Sequence, residues 1–179
     1  MIDTPAPGAP PAAIPADDPN RKLIAASRDA PNARHISLAG GSYTFLLTGA
    51  ETGGRYCLID MDVPPGGGPP PHRHDFEEMF TVLEGEIELT FRGETVKAGA
   101  GVTVNIPANA PHSFKNNSDR PAHLLCMCTP PGQEEFFMAV GDRIASRTTP
   151  PPALSPAERA ARLELVKTLA PRYRTQMLV

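Results

Sequence analysis

From His35 onward, apolar and polar positions alternate with a period of two, the pattern of strands that bury one face. Ile36 and Leu38 lead to Gly40-Gly41, after which Tyr43, Phe45 and Leu47 alternate with Thr44, Leu46 and Thr48. The glycines of GAETGG (49–54) predict a turn. Cys57, Ile59, Met61 and Val63 then alternate with Leu58, Asp60 and Asp62. Read as one strand, residues 72–82 place His72, His74, Phe76, Glu78, Phe80 and Val82 on one face. Arg73, Asp75, Glu77, Met79 and Thr81 fall on the other. After Gly85 the phase changes, and Ile87, Leu89 and Phe91 become the inward set. Val102, Val104 and Ile106 alternate with Thr103 and Asn105, predicting another half-buried strand that Pro107 ends. His112 and Phe114 open the next strand, and AHLLCMCT (122–129) closes the series. Short strands at regular spacing, set apart by Gly and Pro, predict an all-β sandwich or barrel over residues 35–130.

The flanks follow different rules. Residues 1–20 are rich in Pro, Ala and Asp with almost no large apolar side chains, which predicts a flexible or extended arm. Residues 21–30 fit a short helix or a strand equally well. PPGGGPPP (64–71) cannot ladder as a central strand and is expected at the rim of a pocket. Residues 132–143 read as a short helix offering Phe136, Phe137 and Val140 to the barrel. After the connector RTTPPPALSP, Ser155, Pro156 and Glu158 form a helix start with Ser as N-cap. Ala160, Leu163, Val166, Lys167 and Ala170 mark one face of that helix, Glu158 and Arg162 are placed to pair, and Pro171 ends it. The expected division is an arm at 1–20, a barrel domain with flanking strands and short helix at 21–142, and a connector with C-terminal helix at 143–179.

Composition narrows the partners. The 179 residues suit one domain, and a net charge of −3 offers no basic field for nucleic acid or anionic membrane. No apolar run approaches the ~20 residues needed to cross a bilayer, and the first twenty residues lack the basic start and apolar stretch of a secretory signal. Three cysteines without a CxxC pattern favour reduced thiols, the expectation for a cytoplasmic protein.

The candidate chemistry sits on the inward face of 72–82. His72, His74 and Glu78 there point among apolar neighbours, and such a set is costly to bury without a partner. A metal ion offsets that cost, with His112 as the natural fourth donor. Parity sends Glu77 outward and selects Glu78 as the carboxylate. Three imidazoles and one carboxylate leave open positions on an octahedral ion for water, dioxygen or substrate. The ion expected is one divalent transition metal per chain, drawn from Fe, Mn, Ni, Co, Cu and Zn. His35 reads as solvated or structural, and His123 is assigned no ligand role.

These stretches resemble the two motifs of the cupin family. In the first, Gly66 is followed by five residues, His72, one residue, His74, three residues, Glu78, six residues and Gly85. The second is matched by Gly101, Pro107, His112 and Asn116, with Asn109 where the family usually has glycine; Asn is the best other occupant of a left-handed turn. SYTFLLTGAETGG (42–54) and PPGQEEFF (130–137) extend the likeness to small single-domain cupins grouped with quercetin dioxygenases. The resemblance implies a jelly-roll barrel (a double-stranded β-helix) with a short C-terminal helical extension. It implies a metal held by His72, His74, Glu78 and His112, with Glu78 also serving catalysis as ligand or base. The activity implied is dioxygenation of an aromatic or enolic oxygen compound such as a flavonol, with dioxygen as co-substrate. A non-redox isomerase, lyase or hydrolase, and a non-catalytic small-molecule-binding cupin, are the alternatives. Cupin barrels commonly pair, so a homodimer is expected. No helix-turn-helix fits either flank, so a DNA-binding version is disfavoured.

Overall fold

The computed structural model describes residues 13–179, so the first twelve residues of the expected arm lie outside the described residues. Residues 13–20 are exposed and form neither helix nor strand, and residues 21–30, where both were open, also form neither. The strands follow the period-two pattern: β1 (Arg34–Leu38), β2 (Gly41–Leu47), β3 (Cys57–Val63), β4 (His72–His74), β5 (Glu77–Glu84) and β6 (Glu86–Phe91). Next come β7 (Glu94–Gly99), β8 (Thr103–Ile106), β9 (His112–Lys115) and β10 (Ala122–Thr129). Helix α1 (Gln133–Val140), β11 (Asp142–Ile144), α2 (Pro156–Leu169), one turn of 3-10 helix (Ala170–Tyr173) and β12 (Thr175–Met177) complete the chain.

Two antiparallel sheets result, in the orders β11-β1-β2-β3-β10-β5-β8 and β12-β4-β9-β6-β7. Their inner faces close on one core: Ile59, Val82 and Leu124 from the larger sheet meet Ile87, Leu89 and Phe114 from the smaller. Burying each of these side chains contributes about 1.5–3 kcal/mol. This is the all-β jelly-roll barrel expected, with its C-terminal helix.

Residues 72–82 are not one strand. The chain leaves the smaller sheet after His74 and enters the larger one at Glu77. The parity still holds, since His72, His74, Phe76, Glu78, Phe80 and Val82 are all buried. Phe76 stacks on His74 at 3.9 Å between ring centroids, so the crossing itself is packed inward. Both sheets face the same core, and a change of sheet therefore leaves no mark in the alternation. Val102 departs from the expected pattern, standing 42% exposed just before β8.

Two glycines have backbone duties. Gly85 has φ 72°, and a Cβ there would lie 2.7 Å from the Pro121 carbonyl, so the phase change after β5 requires glycine. Gly68 has φ 139°, and its missing Cβ would lie 2.1 Å from the Phe114 carbonyl. The Gly/Pro segment thus runs hard against β9 before it delivers His72. Asn109 adopts the left-handed conformation expected of it, at φ 68°.

The C-terminal region differs most from expectation. The helix after Gly132 stops at Val140, and the next residues form β11, paired with β1. Ser155 and Glu158 make the expected capping box on α2. Glu158 is spent on that box, and Arg162 turns instead to Asp142 at 2.6 Å and the Val140 carbonyl at 2.5 Å. Within α2 no residue is buried, and Leu163 is 36% exposed; the buried anchor is Ala170, in the 3-10 turn that contains Pro171. Then β12 pairs with β4, setting Thr175 against His74 and Met177 against His72. The polar TQM run of three residues carries no strand signal, and nothing in the alternation marked it.

Candidate metal centre

The four predicted donors come together from both sheets. His72 and His74 project from β4, His112 from β9 directly opposite His72, and Glu78 from β5 in the facing sheet. One donor atom from each lies within 4.8 Å of the others, and all four residues are buried, Glu78 to 2% exposure. His74 Nε2 and His112 Nε2 each approach Glu78 Oε2 at 3.2 Å. The His72 ring lies 4.3 Å from that of His112.

The opposite nitrogen of each imidazole meets a backbone carbonyl. His72 Nδ1 lies 2.9 Å from Pro70 O, His74 Nδ1 2.8 Å from Phe76 O, and His112 Nδ1 2.9 Å from Ala110 O. A carbonyl only accepts, so each Nδ1 must donate, and in the neutral ring Nε2 is left as a lone pair. Three lone pairs and a carboxylate then converge at one point. Lone pairs 3.2 Å apart repel, and the arrangement calls for a cation between them, either a proton on an imidazole or a metal ion. The donor set suits a divalent transition ion, and the carbonyls are the outer partners that orient ligating histidines.

Electrostatics describe the proton's version of that balance. Burial alone would raise the Glu78 carboxyl, but hydrogen bonds from His112 and His74 overcome it and hold the group below the usual carboxylate range. Burial would lower His112, yet its bond to Glu78 raises it above the ordinary histidine value. Burial, and then the charge of His112, depress His72 to about 4. His72 is therefore the imidazole that stays neutral at physiological pH, while Glu78 and His112 favour their charged forms in each other's presence.

Glu77 points away from the cage, as parity required, but it is not idle. Its carboxylate accepts from Ala108 N at 3.0 Å and Asn105 Nδ2 at 2.9 Å, tying β5 to the turn that presents His112. His35 is structural, with Nδ1 2.8 Å from Thr44 Oγ1. His123 lies outside the cage, 2.8 Å from Asp60, in a charged cluster that Arg28 also joins through Asp60 and Asp62.

Several neighbours of the cage were not singled out from the sequence. Cys126 and Cys128 lie behind Glu78, with Sγ atoms 3.4 and 3.8 Å from Oε1. All three cysteines are free and buried. The bond to Cys128 lowers the Cys126 thiol, but burial and the Glu78 charge together outweigh it and leave it at about 12; burial raises Cys128 as well, so both stay protonated behind the carboxylate. Their inward parity was legible in CMC, and the Cys128–Glu78 cross-strand pairing gives it meaning. In front of the cage lies a cavity of about 220 Å³, which His72 and Glu78 reach and apolar side chains such as Met61, Phe80 and Phe114 line. Pro69 and Pro70 stand at its rim, where the Gly/Pro segment was expected. Tyr43 lines it too, its phenol held protonated by burial. Gln133 and α2 side chains, together with Thr175 and Met177, close the far wall. Among the described residues no helix is long and apolar enough to cross a membrane.

Comparison with known proteins gives a consistent picture. The family model described as "Cupin domain" matches residues 59–128. Quercetin 2,3-dioxygenase of Bacillus subtilis strain 168 is 36% identical over 78 residues, which are 43% of this chain and 23% of that protein. The polyketide synthase CurC of Streptomyces cyaneus is 30% identical over 93 residues, 51% of this chain and 60% of that one. The chain thus spans only part of either relative. Among solved structures, the polyketide cyclase RemF of Streptomyces resistomycificus superposes with a TM-score of 0.53 at 22% identity, covering 85% of this chain and 96% of that one. That likeness is one of fold.

Proposed function

The chain belongs to the cupin family, and from that premise we propose that it is a metal-dependent dioxygenase acting on an aromatic or enolic oxygen compound. The observation that carries the metal is the convergence of three carbonyl-anchored imidazoles on the Glu78 carboxylate. His72, His74, Glu78 and His112 hold the ion, which when bound supplies a Lewis acid and, if redox-active, an electron path to dioxygen. The dioxygenase assignment draws on the likeness to the Bacillus quercetin dioxygenase over 78 residues.

The chain's own groups have definite tasks in this reading. The apolar cavity walls exclude water and receive a flat, weakly polar molecule. The Tyr43 phenol, protonated and close to Glu78, is a donor to substrate oxygen. Glu78 is the base for a substrate hydroxyl. Bonded to His112 and His74 it is a weak base, but burial pushes its carboxyl upward once those bonds are released. A Glu78 that swings toward substrate therefore gains basicity as it moves.

A second reading rests on CurC, whose name is that of a polyketide synthase. Polyketides carry keto and enol oxygens, and the ion that the same cage would hold would act on them as a Lewis acid without oxidation. Dioxygen uptake decides between the two. The protein is loaded in turn with each candidate metal and offered flavonols and dihydroxy-aromatics. One dioxygen consumed per substrate lost is expected; turnover without uptake supports the second reading, and binding without turnover supports a non-catalytic role. A homodimer belongs to the same proposal: β7 and β8 are open sheet edges flanked by exposed Val96 and Val102, and light scattering at micromolar concentration tests it.

A further inference from the structure

Gln133, the first residue of α1, lines the cavity in front of the cage. It is 3% exposed, and its Oε1 is buried with no hydrogen-bond partner among the described residues. A buried amide oxygen without a partner costs folding stability, so a side chain kept in that state calls for a reason. The local structure does not supply one. The approach to α1 is secured by the next residue, Glu134, whose carboxylate accepts from Gly49 N at 2.7 Å and from Gly132 N at 2.8 Å. Of the cavity's other polar side chains, His72 and Glu78 belong to the cage, Arg159, Arg162 and Thr175 are bonded to backbone carbonyls, and Tyr43 stands close to the cage.

We propose that Gln133 is a specificity-determining residue, and that its amide hydrogen-bonds to a hydroxyl group of a hydroxylated aromatic ligand held in the cavity. This rests on the reading of the cavity as the substrate site. An apolar pocket cannot discriminate strongly by shape alone, whereas a buried polar group left unpaired by the wrong ligand rejects it by a large factor. Gln133 gives this cavity one such group. The ligand class follows: one or more aromatic rings filling the apolar volume, with a hydroxyl that meets the amide.

The test is binding rather than turnover. The full-length chain, with its metal removed by chelation, is titrated with 2-naphthol and with naphthalene, and the ratio of the two affinities is compared between wild type and Gln133→Leu. The hydroxyl is expected to favour 2-naphthol in the wild type, and that preference is expected to fall about tenfold or more in the variant. Gln133→Met serves the same comparison if the leucine variant folds poorly. Melting curves separate ligand recognition from scaffolding: removing an unpaired buried amide should leave the ligand-free melting point equal or higher, whereas a structural glutamine would lower it. An unchanged preference, a clear loss of stability in both variants, or no binding of 2-naphthol to the wild type overturns the proposal. Dioxygen plays no part in the measurement, so absence of oxygenase activity would sink the dioxygenase reading and leave this result standing.

Discussion

The four-donor cage and the C-terminal wall face each other across one cavity, but they are held in place by very different means. Every donor of the cage lies on a strand, is buried, and, if an imidazole, is fixed by a backbone carbonyl. The wall rests on α2, which buries no side chain of its own, on the Arg162–Asp142 pair, and on the three-residue β12. Local opening is cheapest where few buried contacts hold an element. The region that must keep donor atoms in register is thus over-determined, and the region that closes the cavity is lightly attached.

The largest effects should come from the cage. His72→Ala, His74→Ala and His112→Ala each remove a donor and should drop metal content well below one per chain. Each loss of affinity should exceed the ~10–100-fold typical of an outer-shell partner. Glu78→Gln should weaken the metal and abolish turnover, since it removes the charged oxygen and the base together. Metal analysis alongside melting curves checks all four, and full metal retention in any histidine variant would remove that residue from the cage.

A chain ending at Arg174 probes the junction of the two regions. Without β12, the strand carrying His72 and His74 keeps only its pairing to β9 at His72–His112, and the Leu178 N–H to Pro71 carbonyl bond is lost as well. Metal affinity should fall by about tenfold, the lower end of what an outer-shell loss costs. Affinity indistinguishable from that of the full chain would show that the cage stands without its C-terminal support.

How legible each region was follows from the same contrast. The barrel and cage could be read because half-burial imposes a period of two, and His72, His74 and Glu78 share one parity. The change of sheet at Asp75-Phe76 could not, because both halves face one core. Nor could β12, whose Thr-Gln-Met sequence has no apolar alternation and whose place is set by its pairing with β4. Gln133 carries no apolar signal in the sequence, yet it is buried in the fold. Asp60, on the non-core side of β3, is buried because of contacts with distant residues including Arg28 and His123.

Glu77→Gln sharpens the parity argument with a smaller effect. The metal should stay, because the side chain lies outside the cage. Its ties to Ala108 and Asn105 would weaken, and solvent screening at this partly exposed position limits the loss to about 1 kcal/mol, or about 2–4 °C in melting temperature. The Ala108 N–H, and next the Asn105 amide, hold the Glu77 carboxyl below its ordinary value. A depressed carboxyl stabilises the fold above its unfolded value of about 4.3 and loses that contribution as pH falls through the folded one. The gap between wild type and variant should therefore close in acid. If Glu77→Gln loses the metal while Glu78→Gln keeps it, the inward face is misassigned.

The smallest effect is expected from Arg162→Ala, and it bears most directly on the wall. Arg162 joins α2 to the Val140 carbonyl and to Asp142, at the junction of α1 and β11. Its charge pair is partly exposed, 27% and 33% for the two side chains, and such pairs contribute only about 0.2–1 kcal/mol. Melting temperature should fall by no more than about 2–4 °C, and metal content should not change, since no donor or anchoring carbonyl of the cage is touched. What should change is ligand handling, because Arg162, Leu163 and Val166 line the cavity from α2. Loosening that helix should speed association and dissociation of a cavity ligand more than it alters their ratio. Stopped-flow binding of 2-naphthol to the variant and the wild type measures both rates. Equal rates would mean that α2 is a fixed wall, held by the capping box and the buried Ala170 turn rather than by its ion pair.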